Sequence, residues 1–110
     1  MRDDFLIFQK MYDFTIYTFP VITKMPKDHR FILGQQIESH MLEILTLLVS
    51  VNKLDVKDRK KYFAKFSDMF DMMMVKIRLA KDLKLILPKQ YLNISEKSNE
   101  VIKLIYNWLH

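Results

Sequence analysis

The chain has 110 residues, half of them hydrophobic and 13% aromatic, with one glycine, three prolines, no cysteine and a formal net charge of +5. That length holds one domain with one core, residues 1–110, and not two. The composition excludes a disordered chain, a disulfide framework, a thiolate nucleophile and a cysteine zinc site; with so few turn residues it also excludes a β-sandwich or barrel.

The spacing of apolar residues predicts four helices. The first runs from about Asp3 to Phe19, with Phe5, Phe8, Tyr12, Ile16 and Phe19 on one face at intervals of three and four. Pro20 is expected to kink or stop it, because proline lacks the N–H an interior helical turn needs. The opening MRDDFLIFQK does not read as a secretory signal: Gln9 and Lys10 break its apolar run, and no small-residue cleavage site follows.

The second helix is predicted to begin close to Pro26, where a missing N–H costs nothing, with the Asp28 carboxylate complementing the helix N-terminus. Gly34, Ile37, Met41, Ile44, Leu48 and Val51 form its stripe, flanked by Leu45 and Leu47. The third starts after NKLD. Asp55 is its expected N-cap, and Asp58 occupies the capping-box position. Phe63, Phe66, Phe70, Met73, Ile77, Ala80 and Leu83 give its stripe, while Lys57, Lys61 and Lys65 recur every four residues on another face. The fourth opens at Pro88, with Tyr91, Ile94, Ser98, Val101, Ile105 and Trp108 in phase.

No segment reads as a strand, and the connections are short. Successive helices are therefore expected to be antiparallel neighbours in an all-α, up-down-up-down four-helix bundle. Apolar residues also spill beyond one stripe: Tyr62, Met69, Met72, Met74 and Val75 on the third helix, and Ile7, Met11 and Phe14 on the first. A bundle helix needs about three core positions in seven. The surplus predicts self-association or a protein partner. No stretch approaches the roughly 18 apolar residues of a membrane span, so the sequence predicts a soluble, cytoplasmic protein that does not engage membranes.

Charge is unevenly placed. Between Lys53 and Lys89 stand eleven Lys or Arg against five Asp or Glu. Such a block is either a solvated helix face or an electrostatic footprint for nucleic acid or an acidic protein.

Catalytic and metal chemistry find little support. The three histidines, His29, His40 and His110, form no His-x-x-x-His pair and no Glu-x-x-His, the spacings a zinc or di-iron bundle would use. His40 falls mid-helix beside Ser39, at a surface or partner-facing position. Asp68 and Asp71 can share a helix face, but carboxylates so spaced are usually solvated. The methionines of DMFDMMM suit an irregular core or an adaptable interface. Ribonucleases of the HEPN type carry an Arg followed four to six residues later by a His, and none of Arg2, Arg30, Arg59 or Arg78 does. With no nucleophile–base pair and no glycine loop, the chain is expected to be neither an enzyme nor a cofactor or metal carrier.

The stretch YDFTIYTFPVITKMPKDHRFILGQQIE resembles the first helical hairpin of the accessory variability determinant (Avd) family of diversity-generating retroelements. The resemblance rests on Tyr12-Asp13, Phe19-Pro20, the turn Lys24 to Lys27, and Arg30-Phe31-Ile32-Leu33-Gly34-Gln35. IRLAKDLKLI and KQYLNISEKSNEVIKLIYNWL are similar to that family's third-helix end and closing helix, although NWL departs from a common glycine-tryptophan ending. A sister branch, encoded in intervening sequences of bacterial ribosomal RNA genes, follows its turn with a more polar run, and the Leu-Gly-Gln here leans away from it.

Physically, that stretch is a helix–turn–helix corner and not a phosphate cradle. Gly34 is expected to admit a bulky neighbour, Pro20 or an aromatic of the first helix, so that Gly34→Leu destabilises the fold. The resemblance implies a homopentameric, non-catalytic protein that binds nucleic acid and the retroelement reverse transcriptase, supporting adenine-mutating cDNA synthesis from a template RNA. Lys57, Arg59, Lys60, Lys61, Lys65, Arg78, Lys81 and Lys84 are the candidate contacts to RNA, DNA or an acidic protein face, although Arg78 and Asp82, four apart, can simply pair on the helix surface. The rival reading is an intervening-sequence-type bundle, a self-assembling structural module that binds only protein and carries its lysines for solubility.

Overall fold

A computed structural model describes residues 3–110, with side chains from Leu6 onward. Four long helices carry the fold: α1 (Asp3–Thr23), α3 (Gln35–Asn52), α5 (Phe63–Asp82) and α6 (Pro88–Leu109). Two single turns introduce the second and third of these: α2 (Lys27–His29), which a π-helical turn Arg30–Gly34 joins to α3, and α4 (Val56–Arg59), which a 3-10 turn Lys60–Tyr62 joins to α5. No strand occurs among the described residues.

Connector length forces the topology. Residues 83–87 between α5 and α6 can span at most about 18 Å extended, whereas helices of this length run about 30 Å. The chain can only turn back alongside the helix it has just left. α1 packs on α3, α3 on α5, α5 on α6, and α6 closes the ring on α1. The molecule is an up-down-up-down antiparallel four-helix bundle, 44 × 22 × 18 Å. One end holds the corner between α1 and α3 together with the connection from α5 to α6. The opposite end holds the connection from α3 to α5.

The α3 stripe is buried as its spacing predicts: Gly34, Ile37, Met41, Ile44, Leu48 and Val51 all face the core. The α5 stripe holds from Phe66 to Ala80. Its ends differ, with Phe63 half-buried and Leu83, past the end of the helix, exposed. On α6, Ile94, Ser98, Val101 and Ile105 are buried, and Tyr91 and Trp108 pack at the margin.

The α1 stripe requires correction. The buried residues are Ile7, Met11, Phe14, Thr15, Thr18 and Ile22; Tyr12 and Ile16 are exposed, and Phe8 and Phe19 are only partly covered. The side chain of Phe5 lies outside the described residues. This helix is apolar around most of its circumference, so intervals of three and four pick out two faces, and only packing decides between them. Pro20 does not stop the helix either. It stands one turn from the C-terminus, where its carbonyl still accepts from Lys24 N (3.2 Å) and Thr23 Oγ1 (3.1 Å). The carbonyl left without a donor is that of Ile16, a residue 61% exposed, where water can meet it.

The corner that follows is built on backbone hydrogen bonds. Met25 N donates to Ile22 O and His29 N to Pro26 O; Arg30 Nη1 donates to Thr23 O (3.3 Å), covering the end of α1. Gly34 is buried with an ordinary right-handed φ of −60°. A Cβ there would meet Ile22 Cγ2 at 3.6 Å, so the close neighbour is Ile22 and neither Pro20 nor an aromatic ring.

The third-helix start also differs from expectation. Asp55 precedes α4 but its side chain makes no capping bond; the backbone alone turns the chain, Asp58 N donating to Asp55 O at 2.9 Å. At α6, Pro88 opens the helix, and the Gln90 side chain accepts from Leu87 N at 2.8 Å.

Candidate nucleic-acid interface

A basic surface for phosphate needs cations that no carboxylate or carbonyl already holds. By that criterion the eight candidates separate into groups. Lys57, Lys60 and Lys61 project into solvent from α4 and the 3-10 turn, at the end of the bundle where α3 turns into α5. The Lys61 ammonium lies 5.7 Å from the Tyr62 ring centroid, a contact that leaves its hydrogens free. Lys65, in the first turns of α5, stands over the α3 seam beside Glu43, Thr46 and Ser50. Exposed Lys53 joins this end from the connector.

Arg59 belongs to the fold instead. Its Nε donates to Leu54 O (3.0 Å) and its Nη2 to Asn52 O (3.1 Å), satisfying carbonyls at the α3 terminus. The guanidinium also lies 5.4 Å from the Trp108 ring centroid. Arginine's planar fork suits this double role.

Arg78, Lys81 and Lys84 lie toward the opposite end. Arg78 Nε is 3.8 Å from Asp82 Oδ2 in an open, solvated pair, the surface pairing its spacing allowed, and contributing little. Lys81 Nζ sits 3.2 Å from Asp82 Oδ1 and 4.6 Å from the Tyr91 ring centroid, which draws it onto α6. Lys84 is exposed and holds a left-handed backbone, φ 63°. It stands where a helix usually ends in glycine, with Leu85 N donating to Ala80 O at 2.8 Å.

The candidates therefore do not form one continuous stripe. Between Lys65 and Arg78 the solvent face of α5 presents Asp68, Asp71, Met72 and Val75. The antiparallel topology adds cations that the linear reading passed over: exposed Lys24 and Lys27 at the first corner share an end with Lys84 and Lys89. The signal was available, since loops 24–27 and 83–89 of an up-down bundle must lie at one end. Lys76, within the basic block, was also missed. It is half-buried, with Nζ 2.6 Å from His40 Nε2, so the partly exposed His40 meets α5 of its own chain. Burial first, and then the neighbouring ammonium, hold the His40 imidazole below its usual pKa.

Elsewhere, Lys10 pairs with Glu100 at 2.8 Å across α1 and α6, and that hydrogen bond holds its pKa above the ordinary lysine value. Among the described residues no group of three His, Cys, Asp or Glu comes together in a metal-binding arrangement. No helix among them is long and apolar enough to cross a membrane.

A family model described as bAvd-like matches residues 5–110, nearly the whole chain. No curated protein and no solved structure matches it.

Proposed function

The chain belongs to the bAvd-like family, and on that premise we propose that it is a non-catalytic accessory protein of a diversity-generating retroelement. In this reading it acts in the cytoplasm as a homopentamer, binding template RNA or cDNA together with the reverse transcriptase during mutagenic cDNA synthesis. The observation that carries the nucleic-acid part is the group Lys57, Lys60, Lys61 and Lys65, cations crowded at one end of the bundle and turned to solvent. Lysine meets phosphate as a point charge, so this surface fits nucleic acid with little sequence preference and strong salt dependence.

Exposed apolar residues support the oligomer. Tyr12 and Ile16 of α1, Leu42 and Val49 of α3, and Met72, Val75 and Leu79 of α5 are all exposed. Side chains of this size left in water on several faces call for burial against other chains. One observation favours the rival, a self-assembling bundle that binds only protein: Arg59, Arg78 and Lys81 are already engaged within the chain.

Filter binding of a structured RNA across a salt series separates the two. The expected result is binding that weakens steeply between about 50 and about 200 mM salt, and a Lys57/Lys60/Lys61/Lys65→Gln variant whose log–log salt slope is shallower by about 3. Affinity that salt leaves unchanged, or that the four substitutions leave unchanged, contradicts the proposal.

A further inference from the structure

The π-helical turn Arg30–Gly34 has an effect on the surface. A π turn widens the helix by one residue and is often found at functional sites. Here Gly34 sits in the core and Leu33 packs at its margin, while the two large apolar side chains before them turn outward: Phe31 is 59% exposed and Ile32 70%. Below them, between α3 and α5, lies an open cleft of about 430 Å³ that Phe31, Gln35, Gln36, Ser39, His40 and Lys76 line. That volume falls in the range of small-ligand sites.

The lining is chemically ordered. An aromatic face stands at the end nearest the α1–α3 corner. Two primary amides and a hydroxyl follow along α3. The Lys76 ammonium then enters from α5, and among the described residues no carboxylate lies within ion-pair distance of it. Its Nζ lies instead 2.6 Å from His40 Nε2. Glu43 closes the far end, away from Phe31. An aromatic face, amide groups that can both donate and accept, and an ammonium with no carboxylate in ion-pair contact are what a nucleotide with an unstacked base requires. A double helix cannot use such a site, because its bases are already stacked and paired.

We propose that the cleft between α3 and α5 takes one unpaired nucleotide of a single-stranded RNA or DNA, its base against Phe31 and its phosphate at Lys76. The proposal rests on the nucleic-acid reading above and deepens it. The lysines at the bundle ends hold phosphate of any strand, and this cleft favours single strands over duplex. The exposed cations Lys24 and Lys27 lie next to Phe31 along the chain, so a strand crossing that end is led toward the cleft.

Fluorescence anisotropy with a labelled RNA of about 12 nucleotides, single-stranded or annealed to its complement, tests this on the full chain. Phe31→Ala should weaken single-strand binding about tenfold, the loss of one stacked base, and leave duplex binding unchanged. Phe31→Trp should restore the single-strand preference. Lys76→Gln should weaken single-strand binding and lower its salt slope by about one. Phe31 is exposed, so its substitution leaves the core intact, and an unchanged helical circular-dichroism melt checks that. If Phe31→Ala binds both RNAs as the unsubstituted chain does, the cleft is not the site, while the nucleic-acid reading stands. If Phe31→Ala weakens single strand and duplex equally, selectivity for the unpaired base is overturned. If the unsubstituted chain binds neither RNA, both readings fall together.

Discussion

Arg59, Lys84 and Gly34 each show a side chain whose role is set by contacts that spacing does not reveal. Arg59 covers two carbonyls at the end of α3 and packs on Trp108. Arg59→Ala leaves those carbonyls to water and removes the face contact; a loss of about 1–3 kcal/mol is expected in urea unfolding. Arg59→Lys should recover little of it, since one ammonium cannot reproduce the fork. Lys84 sits at φ 63°, a conformation that costs an L-residue roughly 1–2 kcal/mol. Glycine relieves that strain but loses about 0.5–1 kcal/mol to its own unfolded freedom. Lys84→Gly should therefore stabilise the fold by up to about 1 kcal/mol, measured by the same unfolding, while removing one cation from the surface. At Gly34 an added Cβ meets only ordinary contacts, so Gly34→Ala is expected to be neutral or to gain up to about 1 kcal/mol of helix propensity. Gly34→Leu must push against buried Ile22 and should cost about 1–3 kcal/mol; equal melting of the two variants would contradict this.

At the scale of the element, legibility depends on how polar the helix is. α3 alternates apolar and polar positions cleanly, and each residue of its stripe from Gly34 to Val51 is buried. α1 has too few polar residues to mark its outer face, so spacing alone places Tyr12 and Ile16 inward and leaves Ile7, Met11 and Phe14 as surplus, the reverse of the packing. Asp55 marks where the third-helix region begins, but its side chain makes no capping bond; Arg59 instead donates back to carbonyls at and just past the end of α3, a contact that local spacing does not reveal. The candidate site divides along the same line: exposure of Lys57, Lys61 and Lys65 follows from spacing, whereas the engagement of Arg59 and Lys81 depends on residues of other elements.

The α3–α5 seam carries a pH prediction. His40 faces Lys76 from α5 and Glu43 on its own helix, and its pKa is lowered by burial and by that ammonium, with Glu43 opposing. The unfolded chain then takes up the proton first as pH falls through about 6.5. The stabilisation is present above that value and is lost below it, until His40 protonates in the folded state. Urea midpoints should fall between about pH 7.5 and about pH 5.5, and His40→Gln should remove part of that fall. Parallel curves for the two proteins would contradict it. Glu38, whose pKa burial raises, acts with the opposite sign nearer the carboxylate range, so the test stays above it.

On the scale of the whole molecule, the bundle hides one core and leaves two kinds of surface unmet: apolar residues on α1, α3 and α5, and lysines at both ends. In the proposed function the first surface meets other copies of the chain and the second meets nucleic acid. Ile16→Lys or Val75→Lys, at positions 61% and 68% exposed, should leave the melt of the bundle nearly unchanged while weakening any assembly built on those faces. Sedimentation of the purified chain with and without a structured RNA, at low and at high salt, tests both assignments together. The expected result is a free protein near five times 13.4 kDa that carries RNA with it at low salt and releases it at high salt. A 13.4 kDa monomer, with RNA sedimenting alone under both conditions, would contradict it.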